Sequence, residues 1–189
     1  MNLISNTCTG ALVYKDYLKQ IYNNPFCWNY IDYESYYKLI TNFEQINFNN
    51  YELIKKDNWN FYIKIDNLVM VYYPHYKFSK EYNKVTPLKD DVYYNKIWEY
   101  IIEKYKTRTK RMLELNEQPI FIVGSTNIGQ IYTKEQLQKF CTIKNKKIFL
   151  FSKEKLINIP ENITYINQFD YDYNNKNAAK IIYNYIKGI

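Results

Sequence analysis

The second half of the chain alternates short apolar runs with amphipathic segments, and this alternation limits the folds that the sequence can adopt. The runs PIFIVGS, KKIFLFS and ITYIN are typical of strands, and TKEQLQKFC and KNAAKIIYNYIKGI are typical of helices. Strands that alternate with helices favour a parallel sheet with helices on both faces. We therefore predict an α/β fold, namely a three-layer Rossmann-like domain with a mostly parallel sheet.

The first half adds helices and one β-hairpin to this prediction. Leu3-Ile4 begins a short strand, and two β-rich runs joined at Asp66-Asn67 predict the hairpin. Residues 47–60 are polar and predict a loop. Apolar residues at helical spacing predict helices over residues 8–22, 33–45 and 92–117.

Length and charge narrow the class of protein. The 189 residues fit one domain spanning 1–189, with 47% hydrophobic residues, which is ordinary for a globular chain. The net charge of +7 suits a polyanionic partner, whether a nucleic acid, a phosphorylated lipid carrier or a nucleotide sugar. Nucleic acid is the least favoured of these partners, because charge alone supports it.

Cysteine usage and hydropathy predict a cytoplasmic protein with free thiols. No apolar run approaches the roughly 18 residues of a membrane span, and the N-terminus lacks the layout of a signal peptide. Cys8, Cys27 and Cys141 are irregularly spaced, unlike a disulfide framework or paired zinc ligands. With a single histidine in the chain, we expect no metal and no cofactor.

Three segments that follow predicted strands carry the residues suited to catalysis. They are Ser5–Cys8, Pro74–Tyr76 and Gly124–Asn127. In an open parallel sheet the functional groups lie beyond the carboxyl ends of the strands. If the three strands run parallel in one sheet, Cys8 and the single histidine, His75, are neighbours.

A cysteine beside a histidine predicts nucleophilic catalysis. A free thiol is mostly protonated at pH 7, and a helix N-terminus or an adjacent imidazolium stabilises its anion. Asn6, or the backbone amides of Thr9 and Gly10, would then stabilise an oxyanion. Three residues are candidates to orient the imidazole: Ser125, Asn127 and Asp66.

The alternative for Cys8 is a small packed side chain, since free cysteine is among the most buried residue types. We assign Cys27 and Cys141 to packing on the same ground, because both stand inside apolar patterns. Arg108 and Arg111 lie one helical turn apart and predict an anion clamp, with a solvated helix face as the alternative.

The chain resembles a group of bacterial proteins of unknown function that are labelled exopolysaccharide biosynthesis proteins, and a related family described as papain-like cysteine peptidases. The matching stretches are ISNTCTGALVYKDY, NPFCWNYID, VYYPHYKF and KYKTRTKRM followed by PIFIVGS. The matched positions are Cys8, Pro25-Phe26, Trp28, His75-Tyr76-Lys77, Arg108 and Arg111. The resemblance implies a role in making capsule or other surface glycans, with Cys8 and His75 as active residues.

These observations leave three functions open. The first is an enzyme that uses Cys8 as nucleophile and His75 as base for acyl-type hydrolysis or transfer on a surface-glycan precursor, with Arg108 and Arg111 holding an anionic part. The second is a non-catalytic module that binds an anionic saccharide or a partner glycosyltransferase. The third is a nucleotide-sugar-dependent glycosyltransferase, which the strand-following GSTNIG segment favours.

Overall fold

The structure is a computed structural model that describes residues 1–7, 9–20, 24–27, 29–55, 61–73, 91–124, 132–167 and 175–188. The strands are β1 (Leu3–Ser5), β2 (Tyr30–Ile31), β3 (Tyr51–Lys55), β4 (Phe61–Ile65), β5 (Val69–Tyr73), β6 (Ile120–Gly124), β7 (Lys147–Ser152) and β8 (Ile163–Asn167). The helices are α1 (Thr9–Leu12), continued by a π-helix (Val13–Leu18), α2 (Tyr33–Thr41), followed by a 3₁₀ turn (Phe43–Gln45), α3 (Asp91–Glu114), α4 (Lys134–Phe140) and α5 (Asn175–Lys187).

Four strands form a parallel sheet in the order β1-β6-β7-β8. Leu3 pairs with Ile120 and Ile120 pairs with Lys147, so a strand from the first half of the chain lies beside strands from the second half. All residues of β7 after Lys147 are buried, as expected for an inner strand of a parallel sheet that is covered on both faces. The predicted α/β class and the parallel sheet are confirmed.

The other four strands form a separate antiparallel sheet in the order β2-β5-β4-β3. The predicted hairpin is confirmed between β4 and β5, with Ile65 paired to Val69. Asp66 and Asn67 take positive φ angles of 47° and 56° in this turn. Asp and Asn tolerate that conformation better than other residues with a β-carbon, which explains the sharp reversal there.

Two expectations about this part of the chain are wrong. Residues 47–60 are not all loop, because Tyr51–Lys55 forms β3 at the sheet edge, where Glu52 is exposed. β5 does not belong to the parallel sheet, because the tight turn forces it to pair antiparallel with β4. A single mostly parallel sheet with one hairpin is therefore replaced by two sheets of different type.

Side-chain caps fix where two of the helices begin. Asp32 accepts a hydrogen bond from the Ser35 amide at 3.0 Å at the start of α2. Thr133 and Gln136 form a reciprocal capping box at the start of α4, with bonds of 3.2 and 2.9 Å. Both arrangements satisfy amides that have no partner within the helix.

Apolar side chains cover both faces of the parallel sheet. On one face, Leu3 and Phe149 belong to a cluster with α1, the π-helix and α5. On the other face, Ile4 and Phe121 belong to a larger cluster with α2, α3, α4 and the antiparallel sheet. Leu3 and Ile4 are adjacent in β1, and successive side chains of a strand point to opposite faces of the sheet. Within the described ranges, none of the helices has the length and apolar character to cross a membrane.

Candidate functional site

The turn between β1 and α1 is polar and almost fully buried. Ser5, Asn6, Thr7 and Thr9 expose at most 3% of their surface. Thr7 Oγ1 lies 3.3 Å from Ser5 Oγ and 3.0 Å from Thr9 Oγ1, so three hydroxyl groups form a connected row. Buried hydroxyl groups are costly unless they are hydrogen-bonded. We define these four residues as the polar turn, and Cys8 stands within it in the sequence.

Asn6 attaches the polar turn to the neighbouring strand. Its Oδ1 accepts from the Gly124 amide at 2.9 Å, and its Nδ2 donates to the Gly124 carbonyl at 2.9 Å. Nδ2 also donates to the Tyr132 hydroxyl at 2.9 Å. Both protons of the side-chain amide are therefore used, which favours a positioning role for Asn6 over the predicted role of oxyanion donor.

Gly10 allows α1 to approach β1 closely. A β-carbon at position 10 would lie 3.2 Å from Ser5 Cβ and 3.4 Å from the Leu3 carbonyl oxygen. The Tyr14 hydroxyl then reaches back to β1, where it accepts from the Leu3 amide at 2.7 Å and donates to the Met1 carbonyl at 2.9 Å. The helical segment after the turn is thus held against the strand at both its start and its middle.

The predicted helix over residues 8–22 differs in type from the observed one. Its α-helical part covers only Thr9–Leu12, and a π-helix continues it from Val13 to Leu18. The observed helix consequently gives little support to the prediction that a helix N-terminus stabilises the Cys8 thiolate. π-helical turns are rare, and many of those that occur inside helices lie at functional sites.

The antiparallel sheet comes close to the same turn through β2. The Ile31 amide donates to the Asn6 carbonyl at 3.3 Å. Ile31 pairs with Val71, and Tyr30 pairs with Tyr72 near the end of β5. Strands within a sheet are about 4.8 Å apart. Val71, in the middle of β5, therefore lies about 10 Å from the polar turn, by two such spacings.

This topology changes the prediction that three strands of one parallel sheet bring the candidate residues to the same edge. β1 and β6 are parallel neighbours, so their carboxyl ends, Ser5 and Gly124, lie at the same edge of the sheet. The expectation that β5 supplies the third loop from the same sheet is wrong, since β5 is antiparallel to β2 and β4 in the other sheet. Four of the predicted residues lie outside the described residues: Cys8, His75, Ser125 and Asn127.

The remaining candidates have described positions. Asp66 lies in the turn before β5, at the opposite end of the strand from Tyr73, and accepts from the Asn47 amide at 3.1 Å. That bond, followed by one from Asn50, lowers the pKa of the Asp66 carboxyl. Asp66 is therefore not positioned to orient an imidazole beside the polar turn. Arg108 is half-buried and donates to the Cys27 carbonyl at 2.8 Å, whereas Arg111 is exposed.

The other two cysteines are packed, as predicted. Cys27 and Cys141 are free thiols that expose 3% and 8% of their surface. Burial raises the pKa of the Cys141 thiol. Among the residues the structure describes, no group of three or more His, Cys, Asp or Glu side chains could hold a metal ion.

The match to known families covers the part of the chain that holds the polar turn and the antiparallel sheet. Residues 1–89 match a family described as a domain of unknown function (DUF1919). No curated protein and no solved structure matches the chain. The DUF1919 match carries no activity, so the exopolysaccharide and papain-like relations inferred from motifs stay predictions.

Two tyrosines that support the polar turn were not predicted. The Tyr36 hydroxyl donates to the Ile4 carbonyl at 2.7 Å and accepts from the Ile122 amide at 3.2 Å. The Tyr132 hydroxyl accepts from Asn6 and lies 3.4 Å from the Ile31 carbonyl, to which it donates. The helical spacing of Tyr36 indicated its burial, but no sequence signal indicates which atoms its hydroxyl contacts.

Proposed function

We propose that this chain is a cysteine-dependent enzyme that hydrolyses or transfers an acyl group on a surface-glycan precursor. Cys8 would be the nucleophile and His75 the general base. We further propose a three-layer Rossmann-like arrangement and a cytoplasmic location, which the free thiols favour. The glycan substrate rests on the motif resemblance, and the catalytic pair rests on the residues around position 8.

The observation that carries this proposal is the polar turn itself. Ser5, Asn6, Thr7 and Thr9 are buried, yet the hydrophobic core would be better filled by apolar residues at the same positions. Their connected hydroxyls surround Cys8 in the sequence, and Asn6 fixes the backbone to Gly124. Buried polar networks of this kind supply rigidly placed hydrogen-bond donors, which a thiolate and an oxyanion both need.

Proximity between the two catalytic groups is supported by β2. The hydrogen bond from Ile31 to Asn6, together with the pairing of Ile31 with Val71, brings the middle of β5 toward the turn. His75 follows the last residue of β5, Tyr73, by two positions in the sequence. We therefore propose that His75 approaches from the second sheet and not from a third parallel strand.

The proposed reaction proceeds in two steps. The Cys8 thiolate attacks the acyl carbonyl carbon, and the leaving oxygen takes a proton from the protonated His75, giving a thioester and a free hydroxyl. Water or an acceptor hydroxyl then attacks the thioester and gives its proton to His75, which restores the thiolate. Arg108 and Arg111 would hold an anionic part of the substrate, with Arg108 preoriented by the Cys27 carbonyl.

The test is the pH dependence of alkylation at each cysteine, read by mass spectrometry on the wild type and on His75→Ala. Cys27 and Cys141 are internal controls, because both are buried. We expect Cys8 alone to react well below pH 8, and to slow in the variant, since the imidazole stabilises its thiolate. Reaction of Cys8 at the pace of the two buried thiols would contradict the nucleophile assignment.

The substrate class needs a separate test in the native host. Cys8→Ser should abolish the acyl change on the surface glycan while the protein still accumulates, and Cys27→Ser is the matched control. An unchanged glycan in the Cys8 variant would contradict the enzymatic role. Loss of the phenotype only when Arg108 and Arg111 are replaced would favour the non-catalytic binding module instead.

A further inference from the structure

A cleft of about 490 Å³ lies between α3 and the start of β3. The helix side carries Lys106, Thr109, Lys110 and Leu113, whose spacing places them on one helix face, and the strand side carries Tyr51. The volume is within the range of sites for small organic ligands. The cleft shares no residue with the polar turn.

Thr109 is the unusual residue of this cleft. It exposes 2% of its surface, and its Oγ1 has no hydrogen-bond partner in the described part of the chain. A helical threonine commonly bonds to the carbonyl four positions earlier, as Thr41 does to Tyr37 at 2.9 Å.

The nearest phenol does not satisfy Thr109. Tyr105 lies close enough for Thr109 to oppose the rise in its pKa, which burial causes. The Tyr105 hydroxyl nevertheless donates its proton to the Phe48 carbonyl at 2.7 Å, and no hydrogen bond of acceptable geometry joins it to Thr109. A buried hydroxyl in the lining of the cleft is thus left without a partner, and such groups are rare in folded proteins.

Two lysines and one carboxylate, Lys106, Lys110 and Glu114, line the cleft, and their net positive charge favours an anion. Lys106 and Lys110 are exposed and one helical turn apart. Lys110 Nζ lies 3.8 Å from Glu114 Oε1, but the two side chains are 77% and 62% exposed. An exposed pair at that distance is weak and is screened by solvent, so an anion can compete for Lys110.

We propose that the cleft binds a phosphate monoester of an organic alcohol. The phosphate lies between the two lysine ammonium groups, which bind phosphate as point charges. The organic body covers Leu113, which is 49% exposed, and the ring of Tyr51. A hydroxyl or carbonyl of that body supplies the missing partner of Thr109.

Titration calorimetry on the full chain tests the proposal, with glucose 1-phosphate, uridine monophosphate, inorganic phosphate and glucose as probes. At least one ester binds, inorganic phosphate binds about tenfold more weakly, and glucose does not bind. The two esters distinguish a sugar body from a nucleoside body. Failure of both esters to bind at millimolar concentration overturns the proposal, as does equal binding of glucose.

Variants distinguish binding of the ester at this cleft from attraction by the net charge of the chain. Replacing both Lys106 and Lys110 with Met lowers the affinity at least about tenfold, whereas Lys104→Met lowers it less than about twofold. Lys104 is the matched control, because it lies on the same helix with its ammonium over the Tyr100 ring at 4.0 Å. An equal effect of Lys104→Met would mean that only the net charge attracts the ester, and overturns the site.

Thr109→Val tests the hydroxyl. The substitution keeps the shape and removes a group that is unsatisfied in the free protein, so the melting temperature stays the same or rises. The ester affinity falls by about fivefold because its partner is lost. Unchanged ester affinity overturns the Thr109 contact. Cys8→Ser leaves ester binding intact, which keeps this site distinguishable from the proposed enzyme.

Discussion

The hydroxyl of Tyr36 lies 3.0 Å from the carbonyl oxygen and 3.2 Å from the amide nitrogen of Ile122, a residue 86 positions away in the chain. The same oxygen donates to the Ile4 carbonyl at 2.7 Å. One buried phenol on α2 thus contacts both β1 and β6 at their junction. This contact holds the helix against the edge from which the polar turn begins.

Tyr36→Phe should lower the free energy of unfolding by about 1–3 kcal/mol. The ring stays in place, but buried carbonyl and amide groups lose a hydrogen-bond partner. Urea unfolding of the two proteins measures the difference. Tyr185→Phe is the control, because Tyr185 is 48% exposed. Loss of the Tyr185 hydroxyl should change the free energy of unfolding by less than about 0.5 kcal/mol. Equal effects of the two substitutions would contradict the role of the Tyr36 hydroxyl.

Asn6→Asp should destabilise the protein by about 2–4 kcal/mol at pH 8. The carboxylate cannot donate to the Gly124 carbonyl or to Tyr132, and it lies where the side chain is fully buried. Burial raises the pKa of the new carboxyl in the folded state above its unfolded value near 3.9. Stability relative to the wild type is therefore higher at acidic pH and falls as the pH rises through the folded-state pKa.

Denaturant unfolding at several pH values, with the wild type measured at each, tests the direction of that change. Asn95→Asp is the matched control, because Asn95 is exposed on α3. It should cost less than about 0.5 kcal/mol at every pH. A destabilisation by Asn6→Asp that grows toward acidic pH would contradict the buried position of the side chain.

Gly10→Ala should cost about 1–3 kcal/mol, because the added methyl group meets Ser5 Cβ at 3.2 Å. The cost should be smaller in a Ser5→Gly background, where that β-carbon is absent. A double-mutant cycle of unfolding free energies measures the coupling between the two positions. Additive effects would mean that the close approach of α1 to β1 is not what requires glycine.

Lys146→Met should lower the stability at pH 7 by less than about 1 kcal/mol, because its partner Glu44 is half exposed and the pair is screened. The hydrogen bond from Lys146 lowers the pKa of the Glu44 carboxyl. A depressed folded-state pKa contributes stability above the unfolded pKa, near 4.3, and loses it as the pH falls through the folded-state value.

The difference between wild type and Lys146→Met should therefore shrink below about pH 4 and in high salt. Thermal unfolding across pH and salt measures it. Lys139→Met is the control, because Lys139 is an exposed lysine of α4. A difference that persists unchanged at low pH would mean that the methylene stem, and not the charge, makes the contribution of Lys146.

The inner strands of the parallel sheet were predictable because they are buried. β6 and β7 read as continuous apolar runs between polar segments, which is the pattern of inner parallel strands. β2 has two residues, too few for any periodicity, and β3 is an edge strand with charged positions. The separate antiparallel sheet depends on these two strands, so its extent was not predictable.

The candidate site was predictable in its residue types but not in its contacts. The strand-to-helix transition at Ser5–Thr9 marked the turn, and parallel pairing of β1 with β6 brings Asn6 to Gly124. The bonds from Tyr36 and Tyr132 depend on tertiary geometry, because a hydroxyl on a buried ring has many partners within reach. The approach of β5 also required β2, which the sequence does not reveal.

The place of β6 in the sheet has a consequence for the segment that the DUF1919 match covers. Residues 1–89 contain β1, whose described ladder partner, β6, begins at Ile120. The Asn6 and Tyr36 contacts with Gly124 and Ile122 also cross that boundary. A fragment cut at residue 89 would keep the partners of the Leu3 amide and carbonyl, Tyr14 and Asn24, but would lose the strand beside β1. A protein that shared only this segment would need another strand beside β1, so the segment that the family match covers is smaller than the unit that folds.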